Sequence, residues 1–275
     1  MEKDARTWVR RSIVRSTISR IQVEDWALSH SEHTPEAHRL IRKLESITEL
    51  TEEERQAVLD LPMTVRLYDE RQDIVRVGDR PHECCLILEG FACRYKLLPD
   101  GRRQIMSFHT PGDMPDLQSL HISVMDHSVG VIGRTLAAFI AHKDLLGLTQ
   151  SYPGLLHAFW RDTLVDAAIF REWMIGVGRR DAHERIAHLI CEMFLRFEGV
   201  GLAPAYTFKM PVTQADFADA LGLSAVHVNR VLQDMRRDGL ITWTRSTVTV
   251  LKWEELQGGA LFDATYLHQK KKAQH

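Results

Sequence analysis

Residues 211–241 read PVTQADFADALGLSAVHVNRVLQDMRRDGLI. Thr213 is a good N-cap, Phe217, Ala218 and Leu221 recur at helical spacing, and Gly222 stops the pattern where a tight turn needs a residue tolerant of positive φ. Ser224 then caps a second helix, whose apolar residues Val228, Val231, Leu232 and Met235 form one stripe, and Gly239 ends it before Leu240 and Ile241. Two short helices joined by a Gly-containing turn make a helix-turn-helix.

With that stripe turned inward, the first turn and a half of the second helix presents Ala225, Val226, His227, Asn229 and Arg230. Arg can pair bidentately with O6 and N7 of guanine and Asn with N6 and N7 of adenine, so a helix laid in a major groove can use Asn229 and Arg230 to read bases. On an ordinary surface helix the same two side chains simply meet water. The residues C-terminal to this helix favour base reading. Residues 240–244 and 247–251 are rich in β-branched and apolar side chains around Arg245-Ser246 and predict a hairpin. Behind a recognition helix such a hairpin is a wing, with Arg245 at its tip placed to touch a phosphate.

The run from Pro211 to Leu232 closely resembles the winged helix-turn-helix of the CRP/FNR superfamily of bacterial transcription regulators. Upstream, Gly78-Asp79, Leu88-Glu89-Gly90, Pro99 to Ile105 and Pro111-Gly112-Asp113 resemble, in order, the β-roll sensor domain of that family. The resemblance implies an α+β chain: an N-terminal antiparallel, jelly-roll-like β-roll, a long dimerisation helix and a C-terminal winged helix-turn-helix. It implies a homodimer that binds double-stranded DNA at a near-palindromic operator, with RNA polymerase as a further partner and no catalysis. The DNA contacts it implies are Thr213, Gln214, Ser224, Ala225, Val226, His227, Asn229, Arg230 and Arg245. Many members carry a Glu four residues before the helix's Arg, where it accepts from cytosine. Here that position is Val226, which can meet a thymine methyl instead.

Length and composition agree with two folded domains. The chain has 275 residues, 44% hydrophobic and 26% charged, which is ordinary for a globular protein. No stretch reaches the roughly 20 apolar residues of a membrane span, and no apolar signal core opens the sequence, so a cytoplasmic protein with no membrane partner is expected. The net charge of -2 gives no global signature of nucleic-acid binding. In the winged segment, Arg230, Arg236, Arg237, Arg245 and Lys252 face Asp216, Asp219, Asp234 and Asp238, so a positive face must come from arrangement. The four cysteines, Cys84, Cys85, Cys93 and Cys191, suit neither a disulfide framework nor a zinc ribbon. Iron-sulfur members of the family often carry an N-terminal cysteine cluster, and the lack of any cysteine before Cys84 argues against that cofactor.

Taken in order, residues 1–36 are a polar, Arg-rich extension with Val14, Ile18 and Ile21 on one possible helical face. Residues 37–152 form the sensor domain. It opens with helices over Ala37 to Leu44 and after the capping box Thr51/Glu54, and continues in short strands broken by turns about ten residues apart, the pattern of an antiparallel roll. Pro99-Asp100-Gly101 is its clearest hairpin turn. Residues 153–178 form a helix that Leu155, Phe159, Ile169 and Trp173 make apolar on more than one side, and Leu156, Trp160, Leu164, Ala167, Phe170 and Met174 are its expected dimer interface. Gly176 and Gly178 are expected to interrupt it as a hinge before Arg179-Arg180 and a new helix start at Asp181/Glu184. Residues 179–275 form the DNA-binding domain, ending in a mobile basic tail at Lys270-Lys271-Lys272.

Cyclic-nucleotide-binding members of the family hold the cyclic phosphate with an Arg and the ribose with a Glu in the loop after Pro111-Gly112. Here that loop offers Asp113 and Asp116, then His121, Asp126, His127 and Ser128. The Arg is missing, and a mostly neutral His127 cannot form the bidentate fork a phosphate favours. Cyclic AMP is therefore not expected, and the effector, placed at Asp113, Asp116, His121, His127 and Ser128, has no assigned identity. The same His and Asp residues suit a metal, but no His-x-His or His-Glu-x-x-His spacing supports one. Two rivals remain, a cupin-like enzyme with metal at this loop and an adaptor that binds protein through the wing.

Overall fold

The structure, a computed structural model, describes residues 35–270. Nearly all of the N-terminal extension, with Lys271 and Lys272, lies outside them. The described chain divides into two compact units, one of residues 35–41 and Leu50–His157, the other of Arg42–Glu49 and residues 158–270.

Helix α1 (Pro35–Ile47) leads to α2 (Glu52–Leu59), which starts on the expected box: Thr51 N–H donates to Glu54 Oε2 at 2.9 Å, and Glu54 N–H to Thr51 Oγ1 at 3.2 Å. Seven strands follow: β1 (Thr64–Tyr68), β2 (Asp73–Val75), β3 (Glu83–Glu89), β4 (Ala92–Leu97), β5 (Arg103–His109), β6 (Ser128–Val131) and β7 (Thr135–Ala141). They form two antiparallel sheets of order β1-β7-β3 and β2-β6-β4-β5. The two sheets share a core of Val75, Cys85, Ile87, Ala92, Met125, Val129, Ala137 and Phe139. Alternation along β3 sends Cys84 the other way, to within 3.5 Å of Ser119 Oγ. Gly90 turns the chain between β3 and β4 at φ +93, and a Cβ there would lie 2.6 Å from Thr135 Oγ1, so only glycine fits. The β4–β5 hairpin closes over Pro99-Asp100-Gly101, with Leu97 paired to Arg103.

Helix α3 (His142–Ser151) is followed by α4 (Pro153–Arg179), 27 residues without a break. The expected interruption at Gly176 and Gly178 is absent. Neither glycine adopts positive φ, and a propensity penalty of about 1 kcal/mol each is too small to break a helix held by packing. Leu155, Ala158, Phe159, Val165, Ala168 and Ile169 are buried along one side of α4, whereas Leu156, Trp160, Leu164, Phe170 and Met174 are 47 to 65% exposed along another.

Beyond α4 the second unit continues with a capping box between Asp181 and Glu184 at the start of α5 (Ala182–Gly199). Packed with it are α6 (Gln214–Leu221), α7 (Ala225–Arg237) and a small sheet of β8 (Thr207–Lys209), β9 (Ile241–Thr244) and β10 (Thr247–Val250), ordered β8-β10-β9. Phe208, Phe217, Val228, Leu232, Met235, Ile241 and Val248 share its interior with Ile186, Ile190 and Met193. The segment after the wing does not trail off. Helix α8 (Trp253–Gly259) packs on α5, Tyr266 Oη donates to the fully buried Glu192 at 3.0 Å, and Lys270 N–H donates to Ser46 O at 2.8 Å. Glu192 also accepts from Trp173 Nε1 at 3.0 Å and Arg196 Nη1 at 3.2 Å.

Candidate nucleic-acid interface

Local chemistry sets both helices of the motif. Asp216 Oδ2 accepts from the Thr213 N–H at 2.9 Å and Oγ1 at 2.6 Å, while Asp216 N–H donates to Thr213 Oγ1 at 3.2 Å, so Thr213 is consumed as a cap. Gly222 ends α6 at φ 65, ψ 37, the left-handed cap that a side chain would strain. Ser224 Oγ accepts from the His227 N–H at 3.2 Å and starts α7. Val228, Val231, Leu232 and Met235 are buried, and Val226 is 81% exposed on the opposite side. Ala225 and Arg230 are also exposed, with His227 and Asn229 half-buried beside them. Gln214, the first residue of α6, donates from Nε2 to Asn229 Oδ1 at 2.8 Å and so joins the two helices at their exposed corner.

The wing is fastened to the same core. Trp243 packs edge-on against Phe217 with ring centroids 5.6 Å apart, and its Nε1 donates to Arg245 O at 3.2 Å. That bond holds Arg245 at φ 56, a left-handed geometry that costs a non-glycine residue roughly 1 kcal/mol or more. The Arg245 side chain stands exposed at the turn.

Pairing decides the electrostatics. Arg237 lies 2.7 Å from Asp234 and 3.2 Å from Asp238, and Lys252 lies 3.0 Å from Glu255. Asp216 is taken by its cap. Among the described residues, Arg230, Arg236 and Arg245 enter no side-chain hydrogen bond or ion pair. An uncommitted guanidinium is the group suited to phosphate and to guanine. The motif thus keeps three such groups although the whole chain is slightly acidic. Neither the neutralisation of Arg237 nor the Gln214–Asn229 bond is visible in hydrophobic periodicity, although the spacing of Asp234, Arg237 and Asp238 is a local signal for the former.

The residues proposed for an effector sit differently. Asp113 Oδ2 accepts from Thr110 N–H at 2.8 Å and Asp116 Oδ1 from Cys85 N–H at 2.7 Å, both buried. His127 Nδ1 lies 2.7 Å from Asp126 Oδ1, and Ser128 Oγ accepts from Val77 N–H at 3.1 Å. His121 is exposed. The first four brace the roll's own loops. Arg94, which no sequence pattern singles out, donates from Nε to Pro115 O at 2.7 Å and tightens the same loop. Among the described residues no group of three or more His, Cys, Asp or Glu could hold a metal ion.

A family model described as a Crp-like helix-turn-helix domain matches residues 184–258, and one described as a cyclic nucleotide-binding domain matches residues 65–152. The nitrogen fixation regulation protein FixK of Bradyrhizobium diazoefficiens is 31% identical over 170 residues, 60% of this chain and 68% of that protein. The chain belongs to the CRP/FNR family of transcription regulators. Among its CRP/FNR relatives, the transcriptional activatory protein AadR of Rhodopseudomonas palustris is 29% identical over 220 residues, 78% of this chain and 89% of that one. The solved structure of FixK2 from Bradyrhizobium japonicum is 25% identical with a TM-score of 0.65, covering 72% of this chain and 97% of that chain. The loop residues named from the sequence do not fit a cyclic phosphate: Asp113 and Asp116 are acceptors committed to the Thr110 and Cys85 amides, and Arg94 Nε is committed to Pro115 O.

Proposed function

We propose that this CRP/FNR regulator acts as a homodimer that reads a near-palindromic operator with α7 and the wing, under control of a signal received by the roll. The observation that carries the DNA-reading part is the exposed corner of Val226, Asn229 and Arg230, with Arg236 and Arg245 uncommitted beside an otherwise self-paired charge set. Thr213, Ser224, Ala225 and Gln214 frame that corner, and His227 lines it. Residues 37–152 serve as sensor, 153–178 as dimerisation helix and 179–275 as DNA-binding domain.

Dimer formation is supported by the exposed stripe Leu156, Trp160, Leu164, Ala167, Phe170 and Met174, which no isolated helix would keep in water at such size. Two recognition helices related by a two-fold axis enter successive major grooves about 34 Å apart, hence the near-palindrome. Relatives named as activators support RNA polymerase as a partner in the cytoplasm. Among the described residues no helix is long and apolar enough to cross a membrane. A signal acting through the roll must bind two arrangements of the dimer unequally, because equal binding shifts nothing.

Arg230→Ala tests the base-reading role. It should cost about 1 to 3 kcal/mol on DNA selected by the wild type and little on random duplex, as read by titration at fixed salt. Equal losses on both would reduce Arg230 to a phosphate contact.

A further inference from the structure

At the exposed corner of the helix-turn-helix, two amides meet. Gln214 Nε2 donates to Asn229 Oδ1 at 2.8 Å across 15 residues of sequence and from one helix to the next. Thr213 is closed off beside them, its hydroxyl donating to Asp216 at 2.6 Å. The side chain left to act at the start of α6 is therefore Gln214, which is exposed.

This bond changes what Asn229 can offer. An unconstrained Asn reads adenine with both ends of its amide, the oxygen accepting from N6 and the NH2 donating to N7. The two ends of an amide point apart, so an oxygen turned to Gln214 leaves the NH2 turned away from it. A donor alone suits an edge made of acceptors, and in the major groove guanine presents two, O6 and N7. We propose that Gln214 is a specificity-determining positioning residue, which fixes the Asn229 amide so that the base pair beneath it is read as guanine rather than adenine. The inference rests on the proposed DNA-reading function and needs no contact between Gln214 and DNA.

The chemistry supplies a directional test. A glutamate has only acceptors, so in Gln214→Glu the new carboxylate must take a proton donor from Asn229 and turn Oδ1 outward. The acid stands in the first turn of α6, where the helix dipole tolerates it, and thermal unfolding of the full chain verifies folding. DNA is first selected by the wild type from a random duplex pool, and Asn229→Ala identifies the base pair at which preference relaxes. All four base pairs are then compared at that position.

Wild type should favour guanine there, and Gln214→Glu should move the ratio toward adenine or cytosine, whose exocyclic amines can donate, by about tenfold, the change that 1.4 kcal/mol produces. Repulsion between the added charge and phosphates lowers all four affinities alike and cancels in the ratio. A uniform loss across the four, or a wild-type preference for adenine, overturns the inference. So does an Asn229→Ala protein that relaxes no position while wild type remains selective, and that result leaves the proposed function standing. A wild type that selects no sequence removes the proposed function, and the inference with it.

Discussion

Asp116 lies sealed in the roll with Oδ1 2.7 Å from the Cys85 amide nitrogen. Burial, opposed by that amide and by Arg94, pushes its pKa up to about 6. Between the ordinary aspartate range and about 6, the folded chain keeps a proton that the unfolded chain releases. Its contribution to stability is therefore full at low pH and is lost as pH rises through that window. Asp116→Asn should gain on wild type by about 1 to 3 kcal/mol between pH 4 and pH 7, read from urea unfolding at both. A constant difference would show that the carboxyl ionises as freely as in the unfolded chain. At the proposed DNA-reading corner, Val226 of α7 is 81% exposed. Val226→Glu should transfer preference at its base pair toward cytosine, worth about 1 to 3 kcal/mol, and an unchanged preference would place Val226 away from the bases.

At the scale of elements, caps were the most legible features, since each uses residues within one turn of sequence. Thr51, Asp181, Thr213 and Ser224 all start helices as their spacing predicts, and Gly222 and Gly239 take positive φ. The α4 helix was half legible: its double-sided apolar pattern predicts two covered faces, but Gly176 and Gly178 do not break it. Met174→Glu on the exposed face should raise the dimer dissociation constant at least about tenfold in sedimentation, the penalty for a charge in an apolar interface. An unchanged mass would remove α4 from the interface. Least legible was the segment after the wing, because its partners are remote: Tyr266 meets Glu192 across 74 residues. Burial raises the pKa of Glu192, so its carboxyl depends on Trp173, Arg196 and Tyr266 as neighbours. Tyr266→Phe should destabilise the second unit by about 1 to 3 kcal/mol, the cost of a buried group losing a partner. No loss in thermal unfolding would mean that water reaches Glu192.

For the whole molecule, a net charge of -2 is compatible with DNA binding because Asp216, Asp234, Asp238 and Glu255 of the winged segment face its own cations or caps. With few uncommitted cations per chain, the proposed dimer gains affinity from two protomers acting together, and the salt dependence of binding should report both sets of phosphate contacts. The domain order and the motif could be read from sequence, since turn signals and helical periods are local. The inward commitment of Asp113, Asp116 and Ser128 could not, since their partners are set by the folded roll. Selection of duplexes from a random pool by the 275-residue chain, followed by footprinting and determination of protomers per duplex, tests whether the protein reads DNA as a two-fold-symmetric pair. The expected result is a near-palindrome whose half-site centres lie about one helical turn apart, protected on one face and bound by two protomers. A single asymmetric half-site bound by one protomer, or no enriched sequence at all, would contradict it.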